Sequence, residues 1–162
     1  MPSHRQTLTK TCRDREKVDG EFRHLFREVG LGTTVFSPMK QGILSGKYKD
    51  GIPPDSRLAQ TQVEFIKGFV ERTAGEIFQG WVDKVNEMTP IAERLGVKMS
   101  SLALAWVLRN ENVSSAITGA SSVEQVYENI RALAVLDKLT PDVMEEIEGI
   151  LKNKPAALVA RF

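Results

Sequence analysis

The chain is organised around Gly119-Ala-Ser-Ser-Val-Glu-Gln-Val-Tyr-Glu-Asn129, which follows a β-like run at residues 113–118 and opens an amphipathic helix. Gly119 has no Cβ, so the backbone can turn tightly there or approach a ligand. Ser121 with Glu124 three residues later predicts a capping box at the start of the helix. Apolar residues then recur every three or four positions and form one stripe: Val123, Val126, Ile130 and Leu133.

A second stripe on the same helix is entirely polar and contains Ser121, Gln125, Glu128 and Asn129. A strand, a glycine turn and a helix N-terminus are the usual setting for a bound phosphate, because free amides and the helix dipole point at it. The alternative is a capped helix that packs on a sheet and shows its polar stripe to water. The local pattern leaves both interpretations open.

Composition narrows the class of protein. A chain of 162 residues suits one domain, and 22 basic against 21 acidic residues give no field that favours nucleic acid or an anionic membrane. The sequence has no apolar run of the roughly 20 residues that span a bilayer, and its N-terminus does not resemble a signal peptide. The single Cys12 favours a reducing, cytoplasmic location. His4 and His24 have no ligand cluster at metal spacing around them, so we predict no metal site.

A second buried strand is predicted at Thr33–Phe36, which is β-branched and aromatic and is ended by Ser37-Pro38. The loop from Met39 to Ala59 is rich in glycine and proline, and loops of this length are usually functional or disordered. It carries two cations that either meet an anion or are simply solvated: Lys47 and Arg57.

The remaining pattern is helical. Residues 1–12 show no period and are predicted to be irregular, whereas helices are predicted over 14–29, 60–70, 76–95, around 102–108 with Ser100 as the cap, and after Thr140-Pro141. Trp81 is interpreted as core packing rather than a stacking platform. Two parallel strands cannot cover their own sheet edges, so the sequence indicates part of a larger α/β architecture.

Several separated motifs, in order, resemble the C-terminal half of the aldo-keto reductase superfamily, and within it the group of voltage-gated potassium channel β subunits with their fungal and plant relatives. The resemblance runs from about residue 15 to residue 155. The motifs are Phe36-Ser-Pro-Met39, Gly42-Ile-Leu-Ser-Gly-Lys-Tyr48, Gly51-Ile-Pro-Pro54, Ile91-Ala-Glu-Arg-Leu-Gly96, Leu104-Ala-Trp106 and Gly119-Ala-Ser121 with Glu124-Gln125.

The resemblance implies the C-terminal portion of a (β/α)8 TIM barrel that is incomplete, helix-rich and has about two barrel strands. It divides the chain into an irregular segment at 1–14, a partial NADP-binding domain at 15–155 and a tail at 156–162. It also implies NADPH or NADP as cofactor at the carboxyl ends of the strands, as in other barrels. The implied cofactor-binding residues are Phe36 against the nicotinamide, Ser37, Pro38 and Met39 beside it and the pyrophosphate, Lys47 and Arg57 at the phosphates, and Gly119, Ser121, Gln125, Glu128 and Asn129 at the adenosine end.

The resemblance supplies no catalytic residue. The family's Asp, Tyr, Lys and His lie on its first strands, which this sequence does not match, and Lys40, Gln41 and Asp55 also depart from the channel-subunit pattern. Three functional interpretations follow: a reductase that transfers hydride from NADPH to an aldehyde or ketone, an NADPH-sensing subunit that attaches to a potassium channel, or an inactive truncated product. The resemblance implies a homo-oligomer, in this group a tetramer.

Overall fold

A parallel three-stranded sheet forms one layer of the computed structural model, which describes residues 6–9, 15–60, 68 and 76–155, with only the backbone at 6–9, 57, 76 and 77. Strand β1 is Gln6–Thr9, β2 is Gly32–Phe36 and β3 is Val113–Ile117, in the order β1-β2-β3. Both predicted strands are therefore confirmed. The central strand β2 is buried from Gly32 to Val35, as a parallel strand with both sides covered should be.

Strand β1 corrects the prediction that residues 1–12 are irregular. Gln6–Thr9 pairs in parallel with β2, with Gln6 opposite Gly32 and Thr9 opposite Val35. Leu8 stands between two threonines, and this short alternation was too weak to predict a strand without knowledge of its partner. The rest of the 1–14 segment and the tail at 156–162 lie outside the described residues, so the proposed division into domains remains a prediction.

Helices carry most of the remaining chain. They are a π-helical turn at Glu16–Glu21, α1 at Arg23–Val29, a 3₁₀ segment at Lys40–Ser45, α2 at Arg57–Gln60, α3 at Glu76–Arg94, α4 at Met99–Leu108, α5 at Val123–Arg131, a 3₁₀ segment at Ala132–Lys138 and α6 at Pro141–Leu151. Helix α2 ends at Gln60, and the helix predicted over 60–70 falls on residues outside the described ones, apart from Gln60 and Gly68. No helix within the described ranges is both long and apolar enough to cross a membrane.

The main core lies where α3, α4 and α6 meet. Helix α4 is buried at eight of its positions, from Met99 to Val107 with one gap, so the prediction of a helix buried on most sides is confirmed. Ile91 of α3 and Ile147 of α6 are each almost fully buried in the same cluster. A smaller cluster forms under the 40–58 region around Ile43, Tyr48, Leu58, Phe78 and Val82. Trp81 packs against both clusters, which supports its interpretation as a core residue.

Two predicted helix caps are displaced by one or more residues. Helix α5 is capped by Ser122, whose side chain accepts a hydrogen bond from the Gln125 amide, rather than by Ser121. Helix α4 begins after Lys98 without a side-chain cap, so Ser100 is not its cap. The cap at Thr140 is confirmed, because its side chain accepts from the Val143 amide.

The apolar side of helix α5 is exposed, whereas an amphipathic helix usually packs its apolar side on the protein. Its apolar stripe faces solvent, and none of its residues is buried. Its polar side instead lies on α4, where Ser101 donates to the Glu128 carbonyl oxygen at 3.3 Å. The apolar stripe therefore does not pack on the sheet of this chain.

Candidate functional site

The carboxyl ends of β2 and β3 bring the two halves of the predicted cofactor site together. In the register of this parallel pair, Phe36 lies opposite Ile117. The chain then leaves β2 through Ser37-Pro38-Met39 and leaves β3 through Thr118-Gly119. Because both strands run in the same direction, these two segments emerge at the carboxyl ends of the strands, where open α/β sheets bind ligands.

The segment after β2 has an unusual backbone. Ser37, Lys40 and Gln41 adopt positive φ angles of 51°, 48° and 58°. Non-glycine residues rarely occupy this region, and such conformations concentrate at functional sites when the surrounding structure holds them. Here the turn is held by a hydrogen bond from the Lys40 amide to the Ser37 carbonyl oxygen at 2.9 Å. Pro38 is buried and Met39 packs against the main core, so both anchor the segment.

Lys47 is positioned by the turn around Gly42. The Lys47 ammonium lies 4.9 Å from the centre of the Tyr48 ring, and the lysine stem passes against Gly42. A Cβ at Gly42 would come within 2.9 Å of the Lys47 Cε atom. Ser45 closes the turn by donating to the Gly42 carbonyl oxygen at 2.7 Å. The second predicted cation, Arg57, is the first residue of α2, and its side chain is not among the described ones.

The segment after β3 is organised by Gln125. Its side-chain oxygen accepts hydrogen bonds from the Ser121 amide at 2.9 Å and from the Ser121 hydroxyl at 3.1 Å. Beside it, a hydrogen bond from the backbone amide of Glu124 and a second one from Ser122 lower the pKa of the Glu124 carboxyl. The first turn of α5 therefore already holds an ionised carboxylate, which competes with a phosphate for the same amides.

Glu128 points away from this segment and onto α4. Its carboxylate forms an ion pair with Lys98 and accepts from the Ser100 hydroxyl at 3.4 Å. The neighbouring Asn129 is half-buried. The residues predicted at the adenosine end thus divide into Ser121 with Gln125 at the start of the helix and, one turn later, Glu128 bound to the α4 region beside the half-buried Asn129.

These observations fit a bound NADPH in part. The exposed Phe36 ring, the strained Ser37 turn and Gly119 provide a flat apolar surface and an open backbone where β2 and β3 end, and Lys47 adds a cation in the segment that follows β2. Glu124 and the Lys98–Glu128 ion pair oppose the fit, since binding would require their rearrangement. The sequence did not predict the cap at Ser122 or the contacts of Lys98 and Ser100 with Glu128. A helix start can shift by one residue within Ser121-Ser122, and contacts between helices leave no periodic signal.

The sequence profile of the Aldo/keto reductase family matches residues 5–152 of this chain. The chain therefore belongs to the aldo/keto reductase family. Among curated proteins, it is 44% identical over 142 residues to a rice protein (Oryza sativa subsp. japonica) named "Probable voltage-gated potassium channel subunit beta". That match covers 87% of this chain but only 42% of the rice protein, so the chain spans less than half the length of this relative.

Proposed function

We propose that the protein takes part in NADPH-dependent reduction of an aldehyde or ketone, and that this chain contributes the cofactor-binding side of an aldo-keto reductase (β/α)8 barrel. The proposal rests on one observation: the carboxyl ends of the parallel strands β2 and β3 lie side by side, and the chain leaves them through Phe36-Ser37 and Thr118-Gly119. Family membership supports the same cofactor and the same class of carbonyl substrate. NADPH, when bound, supplies the hydride.

Each residue has a distinct part in the proposal. Phe36 offers its exposed ring to the nicotinamide, and the Ser37-Pro38-Met39 turn follows the pyrophosphate. Lys47, with Arg57, neutralises phosphate charge, while Gly119, Ser121, Gln125 and Asn129 contact the adenosine end. Glu128 joins them after its ion pair with Lys98 opens. A dipole at a helix N-terminus contributes only about 0.3–1 kcal/mol to an exposed anion, so the two cations are needed for appreciable affinity.

No residue of this chain is assigned the role of general acid towards the carbonyl oxygen. Tyr48 is almost fully buried, and its hydroxyl is 3.5 Å from the Gln41 carbonyl oxygen, so it is not available to a substrate. We therefore expect the 162-residue chain alone to bind NADPH weakly and to leave a generic aldehyde unreduced.

A second candidate function is that of an NADPH-sensing subunit that attaches to a potassium channel in the cytoplasm. The name of the rice relative favours it, at 44% identity. Both candidates use the same cofactor residues, and they differ in turnover: the sensor binds NADPH and associates with a channel with little reduction of carbonyls.

The proposed cofactor site can be tested by a nuclear magnetic resonance titration of the full chain with NADP. We expect weak binding whose chemical shift changes concentrate at residues 36–39, 47 and 119–129. Lys47→Ala should reduce the affinity further, whereas Lys49→Ala, at an exposed lysine beside Asp50, should leave it unchanged. Shift changes that map elsewhere would contradict the assignment of the site, and robust aldehyde reduction by the chain alone would contradict the absence of an acid.

A further inference from the structure

Lys98 is a cation that contacts the residues proposed for the adenosine end of the cofactor, although it is not one of them. Its ammonium forms an ion pair with the Glu128 carboxylate. Among the described side chains, no other lysine or arginine forms a hydrogen bond or an ion pair with a residue proposed for that end. NADP carries a 2′-phosphate on its adenosine ribose, so the phosphate and this cation belong to the same end of the site.

The start of α5 is poorly suited to bind that phosphate by itself. The Glu124 carboxyl already places negative charge there, because hydrogen bonds from its own backbone amide and from Ser122 lower its pKa. The side-chain oxygen of Gln125 already accepts from the Ser121 amide and hydroxyl, at 2.9 and 3.1 Å. A 2′-phosphate with a charge of about −1.5 to −2 at pH 7 therefore needs a cation from another element.

Lys98 is fixed at its backbone and exposed at its ammonium. It directly precedes α4, and its carbonyl oxygen accepts a hydrogen bond from the Leu102 amide at 3.0 Å. Its side chain is 67% exposed, so the ammonium can change partners while it remains hydrated. An ion pair with an exposed partner is weak, whereas a hydrogen bond from an ammonium to a phosphate is among the stronger ones. A phosphate can therefore compete with Glu128 for Lys98.

Glu128 retains partners when Lys98 leaves it. The Ser101 hydroxyl donates to the Glu128 carbonyl oxygen at 3.3 Å and so holds the backbone of α5 on α4. The Ser100 hydroxyl lies 3.4 Å from the carboxylate oxygen that Lys98 does not bind. The Glu128 side chain is 21% exposed, so its carboxylate keeps contact with water and does not become a buried, unpaired charge. Opening of the ion pair thus requires the movement of two side chains and leaves the helices in place.

We infer that Lys98 is a specificity-determining residue, which favours NADP over NAD by exchanging its partner from Glu128 to the 2′-phosphate. The inference rests on the proposed cofactor site and adds to that site a residue from outside its motifs. NAD has no 2′-phosphate, so the loss of the Lys98–Glu128 ion pair is not compensated when NAD binds. The ion pair therefore opposes NAD more than it opposes NADP.

Nuclear magnetic resonance titrations of the full chain with NADP and with NAD test this inference through the ratio of the two Kd values, NAD over NADP. Lys98→Met should lower the ratio by about fivefold or more, because it removes a charged contact that only NADP makes. Glu128→Gln should raise the ratio by about twofold to fourfold, since an amide competes less strongly for the ammonium, and should have no effect in the Lys98→Met background. The control is Lys138→Met, which removes the same charge from an exposed side chain and should change the ratio by less than about twofold.

A second measurement follows the 2′-phosphate of bound NADP. The Lys98 ammonium should lower the pKa of this phosphate, so its phosphorus resonance should titrate at a lower pH with the unmodified chain than with Lys98→Met. An identical titration would overturn the inference. So would an unchanged ratio in Lys98→Met, or an effect of Glu128→Gln that persists without Lys98, while both cofactors still bind at residues 36–39 and 119–129. In those cases the proposed cofactor site stands, whereas absence of binding of both cofactors would overturn the site and the inference together.

Discussion

Phe36 and Ile117 are register partners at the carboxyl ends of β2 and β3, and both side chains remain partly open to solvent, at 36% and 51%. The residues before Phe36 on β2 are buried, so exposure begins where the strand ends. A pair of apolar side chains at the end of a parallel sheet, beside a glycine and a strained turn, provides a surface for a flat ligand. This relationship links the fold to the proposed cofactor site.

Replacement of Gly42 by alanine should disturb both stability and the position of Lys47. Gly42 has a φ angle of +90°, and an added Cβ would lie 2.9 Å from Lys47 Cε and 3.1 Å from its ammonium. The strained backbone alone should cost about 1–3 kcal/mol. We expect urea unfolding to report that loss and the Lys47 side-chain resonances to shift.

Gly80→Ala is the matched control for this prediction. Gly80 lies inside α3, and nothing occupies the space within 4 Å where its Cβ would be. The alanine should stabilise the chain by about 0.5–1 kcal/mol, because glycine is the poorer helix former. A destabilising Gly80→Ala, or a neutral Gly42→Ala, would contradict the different roles assigned to the two glycines.

The position of the helix caps is testable through Thr140. Its hydroxyl caps α6, a helix that supplies Ile147 and Leu151 to the main core. Thr140→Ala should therefore lower the free energy of unfolding by about 1 kcal/mol. Ser100→Ala should cost less, because Ser100 lies inside the first turn of α4 and its hydroxyl reaches Glu128 only at 3.4 Å. Equal losses in the two variants would favour Ser100 as a cap after all.

Local patterns predicted those elements whose cause is local. The β-branched run at Thr33–Phe36, the Thr140-Pro141 start of α6 and the Gly30 stop of α1 are each dictated by the conformational preference of a few adjacent residues, and all three are present. The family motifs include Phe36, at the carboxyl end of β2, and Gly119, two residues after β3; that these residues bind a cofactor remains a prediction.

Features that depend on distant contacts were not predictable in the same way. Gln6–Thr9 becomes a strand because β2 provides its partner, and this pairing leaves no trace in the local sequence. The apolar stripe of α5 correctly predicted a helix but not which side would meet the protein. In the structure the polar side of α5 meets α4, where Lys98 and Ser101 bind Glu128 from 30 and 27 residues away.

Acid should weaken the contact between α3 and α6. Arg94 on α3 binds Glu146 on α6, and this hydrogen-bonded pair lowers the pKa of Glu146 from its ordinary value of 4.5. Because the pKa of Glu146 is lower in the folded than in the unfolded state, the pair stabilises the fold fully at pH values above the unfolded-state pKa. This stabilisation is lost as the pH falls through the folded-state pKa. The Tm difference between the unmodified chain and Glu146→Gln should thus be constant near neutral pH and shrink below about pH 4.5. Glu145→Gln, at the exposed neighbouring position, should show no such trend.

Arg15 should be the most costly charged residue to remove, because it joins three parts of the chain in a half-buried setting. Its guanidinium binds Asp19 at 2.6 Å and Glu148 of α6 at 2.5 Å, and it lies 5.5 Å from the centre of the Trp106 ring on α4. Burial alone would lower the pKa of Arg15, but the hydrogen bonds with Glu148 and Asp19 outweigh it and raise the pKa. The residue therefore stays charged at any pH at which the protein folds.

Arg15→Met retains most of the apolar stem but leaves the carboxylates of Asp19 and Glu148 without their cation. Loss of one partner from a buried pair costs about 3–5 kcal/mol, and partial exposure should reduce this to about 2–3 kcal/mol here. Arg94→Met removes a solvent-exposed pair and should cost much less than Arg15→Met. If the loss in Arg15→Met arises from the stranded charge, adding Glu148→Gln should recover part of it in urea unfolding. An additive double variant would instead assign the loss to packing against Trp106, since removal of that contact does not depend on the charge of residue 148.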